Sequence, residues 1–218
     1  MVTLSEENYL KAIYHLGNQG GDAVSTNAIA ELIDTKASSV TDMVKKLAEK
    51  ELANYIKYQG VSLTERGRLT ARSVIRKHRL WETFLVDKLN FPWHEVHDIA
   101  EQLEHIKSEK LTNELDAFLG FPTHDPHGDP IPDKDGNIKT TEKILLSQLE
   151  ENKTGICIGV SDSSAEFLKY LDKQNLALGT EIKVLSKEDF DESMTIVVNK
   201  TPLSISKLIS NNIYIKTT

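Results

Sequence analysis

A single cysteine, Cys157, stands in this chain of 218 residues, so an internal disulfide is excluded. It lies in the apolar run Ile156–Val160, where a buried strand residue is a better reading than a metal ligand or a nucleophile. No apolar stretch approaches the length of a membrane span. The opening Met1–Glu7 has neither the basic nor the apolar region of a signal peptide, and a cytoplasmic protein without a membrane partner is expected. Missing as well are His-Glu-x-x-His, a nucleophile elbow, a phosphate loop and the paired Glu-x-x-His motifs of di-iron bundles. These absences count against a metalloenzyme built on carboxylates and histidines, so an enzyme is not expected. What remains is 39% hydrophobic and 27% charged, long enough for two or three compact units with real cores.

Net charge is −7 and unevenly spread. Residues 35–80 carry eleven Lys/Arg against four acids, a net of +7, whereas residues 81–140 carry five Lys against thirteen acids, a net of −8. A basic block followed at once by an acidic one suits an anion-binding module joined to a cation-binding module. Solvated faces would produce such blocks too, and motifs must decide.

Thr3-Leu-Ser-Glu6 reads as a capping box that opens a helix to about Leu16. Ser25 caps a short helix bearing Ile29, Ala30, Leu32 and Ile33, and a turn at Asp34–Ala37 leads to a second helix, Ser38 to about Lys50. Two short helices across a tight turn form a helix-turn-helix pattern. The alternating stretches Ala53–Tyr58 and Val61–Thr64 around Gln59-Gly60 add a hairpin, which makes a winged helix. Lys36, Ser38, Ser39, Thr41, Asp42, Lys45 and Lys46 fall at the start or on the outer face of the second helix, where short hydroxyls and ammonium groups suit phosphates and base edges. Thr26 and Lys57 complete the expected DNA-contacting set.

The acidic block centres on Pro92–Ser108, for which the spacing predicts one helix, with Pro92 in its first turn and Val96, Ile99, Ala100, Leu103 and Ile106 as its apolar stripe. His97, Glu101, Glu104 and His105 would then share one ridge. Two carboxylates and two imidazoles side by side call for a cation, although a solvated face is the competing reading. His78 and Glu82, an i, i+4 pair on the preceding long helix (to Leu89), could face the same space. Residues 65–119 thus form a helical domain whose Trp81, Phe84, Leu85, Trp93 and Phe118 offer either a dimer face or an internal core. The Pro- and Gly-rich passage 120–139 reads as a structured loop in which His124, Asp125 and His127 offer further ligand atoms, and a short helix is expected over Thr141–Leu149. Strand-like Ile156–Val160, Glu181–Leu185, Met194–Asn199 and Ile213–Lys216, with a helix at Ser163–Leu171, suggest a small β-barrel-like domain over 154–218.

Tyr9-Leu-x-x-Ile-Tyr14, Ser39-Val-Thr41, Leu63-Thr-x-x-Gly67, Arg76-Lys-His-Arg-Leu80, Val96-His97, Glu104-His105 and Gly128-x-Pro-Ile-Pro132 together make the chain similar to the diphtheria-toxin-repressor/manganese-transport-regulator family of metal-dependent repressors. That resemblance covers nearly the whole chain. It implies a mainly α fold: a winged helix-turn-helix domain (1–70), a helical metal-binding and dimerisation domain (71–149) and a C-terminal SH3-like domain of the ferrous-transport type, a small β-barrel (150–218). It further implies a homodimer on a palindromic double-stranded operator, repressing metal-uptake genes. The family's primary metal site falls on Asn8, Glu101, Glu104 and His105 with His78, and its ancillary site on Glu82 and His97, with His78 again a candidate. Ligands from the loop and C-terminal domain would be Asp125, His127 and Asp162 or Glu166. Lys11 stands where some manganese regulators have an acid that holds a paired metal, which argues against that pairing here. The oxygen-rich set leans toward Mn²⁺, with Fe²⁺ second; Zn²⁺ or Co²⁺ would bind more tightly in vitro.

Overall fold

A computed structural model describes residues 2–139 and 141–217. The chain divides into two compact units, Met1–His78 with Glu101–Asn113 and Pro132–Asn137, and Arg79–Ala100 with Glu114–Ile131 and Ile138–Thr218.

In the first unit, helix α1 (Leu4–Leu16) is started by the expected capping box: the Thr3 hydroxyl accepts the Glu6 amide and the Glu6 carboxylate accepts the Thr3 amide. Helices α2 (Thr26–Leu32) and α3 (Ala37–Glu49) follow, α2 capped by Ser25. Strands β1 (Ala53–Ile56) and β2 (Gly60–Leu63) pair antiparallel with Tyr55 opposite Val61, and Val24 bridges to Val61 as a third element of the wing. Leu10, Ile13, Ile29, Val40, Val44, Leu47, Leu52, Val61 and Leu63 form the buried centre around which these elements close. Lys50 at the end of α3 donates to the buried Glu6 at 2.7 and 2.9 Å, tying α3 to α1.

Helix α4 (Glu65–Leu89) begins where Thr64 Oγ1 accepts the Gly67 amide. A side chain at Gly67 would place Cβ 1.9 Å from the Leu52 carbonyl, so only glycine lets the helix start this close to the wing. The long helix runs as expected. The next one does not: α5 spans only His97–Leu103, seven residues instead of Pro92–Ser108. Residues 92–96 run as turns because tertiary bonds claim them: the Trp93 indole donates to Asp172 and its carbonyl accepts from His127. Glu104 and His105 lie beyond the helix end, so the four side chains do not share one helical ridge. Helix α6 (Glu109–Phe118) follows.

The second unit holds an antiparallel sheet of six strands, β3 (Ile144–Leu145), β4 (Thr154–Val160), β5 (Glu181–Lys187), β6 (Met194–Val198), β7 (Thr201–Ile205) and β8 (Ile213–Thr217), in the order β3-β8-β4-β5-β6-β7. Helix α7 (Ala165–Lys173) packs Phe167, Leu168 and Leu171 into the core with Cys157, Ile182, Val184, Ile196, Ile213 and Ile215, while the one-turn helix α8 (Lys207–Ser210) leads into β8. The expected helix over Thr141–Leu149 is absent. Ile144 and Leu145 instead pair with Ile215 and Tyr214, and one 3₁₀ turn (Leu146–Gln148) follows. Strand β7 escaped the sequence reading because it contains Pro202; at the sheet edge a missing N–H costs no ladder bond. Two residues of the expected apolar face are internal: Leu85 is buried and Trp93 packs against the sheet core, whereas Phe118 stays exposed beside Phe84.

Candidate metal centres and DNA-reading surface

The first centre is assembled by α1 and the segment Glu101–His105. Glu104 is fully buried, and both its oxygens accept from the Lys11 ammonium, at 2.8 and 2.9 Å. Lys11 also donates to Glu101 at 3.1 Å, and His78 Nδ1 meets Glu104 Oε2 at 2.6 Å. Burial works to raise the Glu104 pKa, but the His78 hydrogen bond and the Lys11 charge outweigh it and hold the carboxyl below its ordinary value. His105 Nδ1 lies 2.6 Å from Glu7 Oε2 and its Nε2 3.7 Å from Glu104 Oε1. Glu7 beside Nδ1 turns Nε2 toward Glu104, the outer-shell arrangement that orients a ligating imidazole. Asn8 occupies the same ridge of α1 as Lys11, one turn earlier, and its Oδ1 is buried without a hydrogen-bond partner. A buried, unpaired amide oxygen costs free energy unless something cationic or a donor meets it. That orphan lies on the ridge from which Lys11 reaches Glu101 and Glu104, and Asn8, Glu101, Glu104, His105 and His78 carry oxygen and nitrogen donors of the kind a divalent ion takes.

The second centre lies in the other unit. One ligand atom each from Glu82, Asp125 and His127 falls within 4.8 Å of the others, and all three residues are buried. His127 Nδ1 is 3.6 Å from Glu82 Oε2, while Nε2–H donates to the Trp93 carbonyl at 2.9 Å, so Nδ1 is the ring atom turned into the cluster. Asp125 Oδ1 accepts the amides of His127 and Asp129 at 2.8 and 3.0 Å, and Arg79 approaches its other oxygen at 3.5 Å. Burial, then the Glu82 charge and the Asp129 charge, push Asp125 up to about 7. Burial alone would lower His127, but its bond to Glu82 and the surrounding carboxylates lift it to about 9. The loop is held by Gly128 at φ +85°, where a Cβ would sit 2.1 Å from the Ile158 carbonyl. Trp93 stacks on the His127 ring at 6.0 Å. His97, half exposed, reaches Glu82 at 3.5 Å and forms the outer edge of this cluster. Two buried carboxylates and an imidazole with a single guanidinium nearby again fit a hard or borderline divalent ion.

Among the expected ligands, Asp162 and Glu166 are not in this cluster: Asp162 accepts the Ser164 amide at 2.8 Å in the turn before α7, and Glu166 is exposed on that helix's first turn. His124 bonds with Thr123 and faces Thr141 rather than either centre. Glu7 was missed by the sequence reading; its i, i+4 spacing to Lys11 on the ridge of Asn8 was the available signal.

Of the residues expected to meet DNA, Lys36, Ser38, Ser39, Asp42, Lys45 and Lys46 are exposed at the start and outer face of α3, with Thr41 half-buried and bonded back to the Ala37 carbonyl at 2.9 Å. Lys57 is exposed at the wing tip over the Tyr58 ring, and Thr26 opens α2 half-buried. Among the described residues no helix is long and apolar enough to cross a membrane.

The family models agree with this layout. Residues 1–61 match the iron dependent repressor N-terminal DNA binding domain, residues 64–133 its metal binding and dimerisation domain, and residues 144–217 the FeoA domain. A solved manganese-dependent transcriptional repressor complexed with manganese is 35% identical and superposes with a TM-score of 0.86, over 98% of this chain and 100% of that one. The chain belongs to the diphtheria-toxin-repressor/manganese-transport-regulator family. ScaR with bound Zn²⁺ is 32% identical, with a TM-score of 0.79 over 98% of this chain and 99% of that one. The iron-dependent repressor IdeR of Mycobacterium tuberculosis is 39% identical over 126 residues, 58% of this family member and 54% of that protein, so the chain spans about half the length of such curated relatives. Both iron- and manganese-dependent proteins thus stand among its relatives.

Proposed function

We propose that this protein is a cytoplasmic, non-enzymatic, metal-dependent transcriptional repressor that binds palindromic operators of metal-uptake genes as a homodimer, with Mn²⁺ as its effector. The observation that carries the reading is the closing of α1 onto buried Glu104, with the orphaned Asn8 oxygen on the same ridge. A divalent ion bound there would supply the positive charge that ties α1 to Glu101–His105. Asn8, Glu101 and Glu104 offer oxygen and His105 and His78 nitrogen, a set harder than a thiolate site and suited to Mn²⁺. Glu7 beside Nδ1 would orient His105 so that Nε2 turns toward the site. Because α1 packs directly on α2 and α3, its posture sets that of the reading helix. Paired major grooves lie roughly 34–36 Å apart, so only some postures serve both half-sites of a dimer. A coupling of about 1–3 kcal/mol between metal and DNA changes affinity several-fold to a hundredfold. Glu82, Asp125 and His127, with His97 at the edge, supply a second site.

Operator retention with and without Mn²⁺, for wild type and Glu104→Ala, tests the reading; an equal metal response in both proteins defeats it. Fe²⁺ is the second reading, supported by the iron-dependent repressors among the relatives. Metal content of protein purified without added metal, with retention compared across ions, separates the two.

A further inference from the structure

Resting on the assignment of the first centre, we propose that Lys11 is a tethered cation that holds the Glu101–Glu104 carboxylates until a divalent ion displaces it, and thereby sets the metal concentration at which the protein responds. An ammonium has three N–H donors, and the three nearest carboxylate oxygens, Glu104 Oε1, Glu104 Oε2 and Glu101 Oε1, lie at 2.8, 2.9 and 3.1 Å from Nζ. The lone pairs that would ligate an ion are therefore the ones Lys11 occupies. Glu104 is fully buried, so an anion there demands a cationic partner at all times. Lys11 is the partner that can leave: its side chain is 15% exposed, on a flexible four-carbon stem. Retained in place beside a divalent ion, the ammonium would face like charge at contact distance against the buried Glu104 carboxylate. Withdrawal to solvent is the resolution, and each metal-binding event then includes the breaking of these charge-assisted bonds.

The same geometry distinguishes a plug from a mere support. A supporting lysine would help the loaded site, and its removal would weaken metal binding. A plug opposes loading, and its removal strengthens it while leaving the metal-free protein with an uncompensated carboxylate. Arginine at position 11 would keep the charge and grip carboxylates with a planar fork, so it should not open the site.

The test measures Mn²⁺ affinity by calorimetry on full-length protein in the Glu82→Gln background, which silences the second centre, for Lys11, Lys11→Gln, Lys11→Met and Lys11→Arg, together with thermal unfolding of each with and without Mn²⁺. Lys11→Gln and Lys11→Met are expected to bind Mn²⁺ about ten- to a hundredfold more tightly, as the loss of charge-assisted bonds to the competitor dictates. Their metal-free melting temperatures should fall and saturating Mn²⁺ should restore them, while Lys11→Arg shows no gain in affinity. Unchanged or weaker binding by both neutral variants overturns the proposal. Glu104→Gln serves as the separate control: if it binds Mn²⁺ as wild type does, the first centre itself is misassigned and the proposal falls with it. If only Glu104→Gln loses binding while the neutral Lys11 variants stay at wild-type affinity, the centre stands and the plug alone is wrong.

Discussion

The stability that Asp125 and His127 give the metal-free protein is predicted to fall as pH rises from about 4 to 9, and a bound divalent ion is predicted to offset that loss. The prediction comes from Asp125 and His127. Asp125 keeps its proton in the folded state up to about 7, because burial and the Glu82 and Asp129 charges oppose ionisation, whereas the unfolded side chain ionises near 3.8. Between those values the folded state holds more protons, so stability falls as pH rises. His127 holds its proton to about 9 against 6.5 unfolded, after its bond to Glu82 overcomes burial. Its contribution is fully present below 6.5 and is lost as pH rises through 9. At about 1.4 kcal/mol for each unit of pKa, the His127 contribution is on the order of 3 kcal/mol. An ion held by Glu82, Asp125 and His127 needs all three deprotonated, so its binding strengthens over the same range. The assay is thermal unfolding at pH 6 and pH 8.5, with and without saturating Mn²⁺, for wild type and His127→Gln. The metal-induced rise in Tm should be larger at pH 8.5 and should shrink in His127→Gln, whose metal-free slope should flatten. Equal metal-induced shifts at both pH values, or a His127→Gln slope identical to wild type, would refute the reasoning.

Three further outcomes are expected. Gly128→Ala, with φ at +85° and a Cβ placed 2.1 Å from the Ile158 carbonyl, should cost about 2 kcal/mol or more in denaturant unfolding and weaken metal binding at the Asp125–His127 loop, which calorimetry would show. Cys157, buried and with its thiol pushed up to about 11 by burial, should resist alkylation at pH 8 in the native protein and react on unfolding, as mass spectrometry of timed samples would reveal. Lys45→Ala on the exposed face of α3 should weaken operator binding across all sequences and reduce the salt dependence of binding by about one ion, measurable by titration at several salt concentrations.

The winged helix was legible because local signals agree there: a capping box at Thr3–Glu6, Ser25 as a cap, apolar positions of period 3.6 in α3 and alternation across the hairpin. The candidate metal centres are legible as residue types and only in part as geometry. Helical spacing placed His97, Glu101, Glu104 and His105 on one ridge, but α5 ends at Leu103, His97 meets Glu82, and Glu104 and His105 meet α1. What broke the helix was non-local: Trp93 and the residues after it are held by Asp172 and His127, contacts between positions far apart in sequence. Asp125 and His127 were picked out as loop ligands, yet their partner Glu82 lies more than forty residues earlier on α4, a pairing no short window contains. Strand β7 was hidden by Pro202, whose penalty vanishes at a sheet edge.

Trp93 lies with its indole nearly parallel to the His127 ring, while Trp81, the other tryptophan of the chain, packs edge-on to Phe84. An imidazolium under an indole drains its excited state far more than a neutral ring does. The second centre therefore comes with a native optical gauge: in a Trp81→Phe protein, emission follows whether His127 carries a proton or has given it up, and loading of that site can be watched in real time without any attached dye.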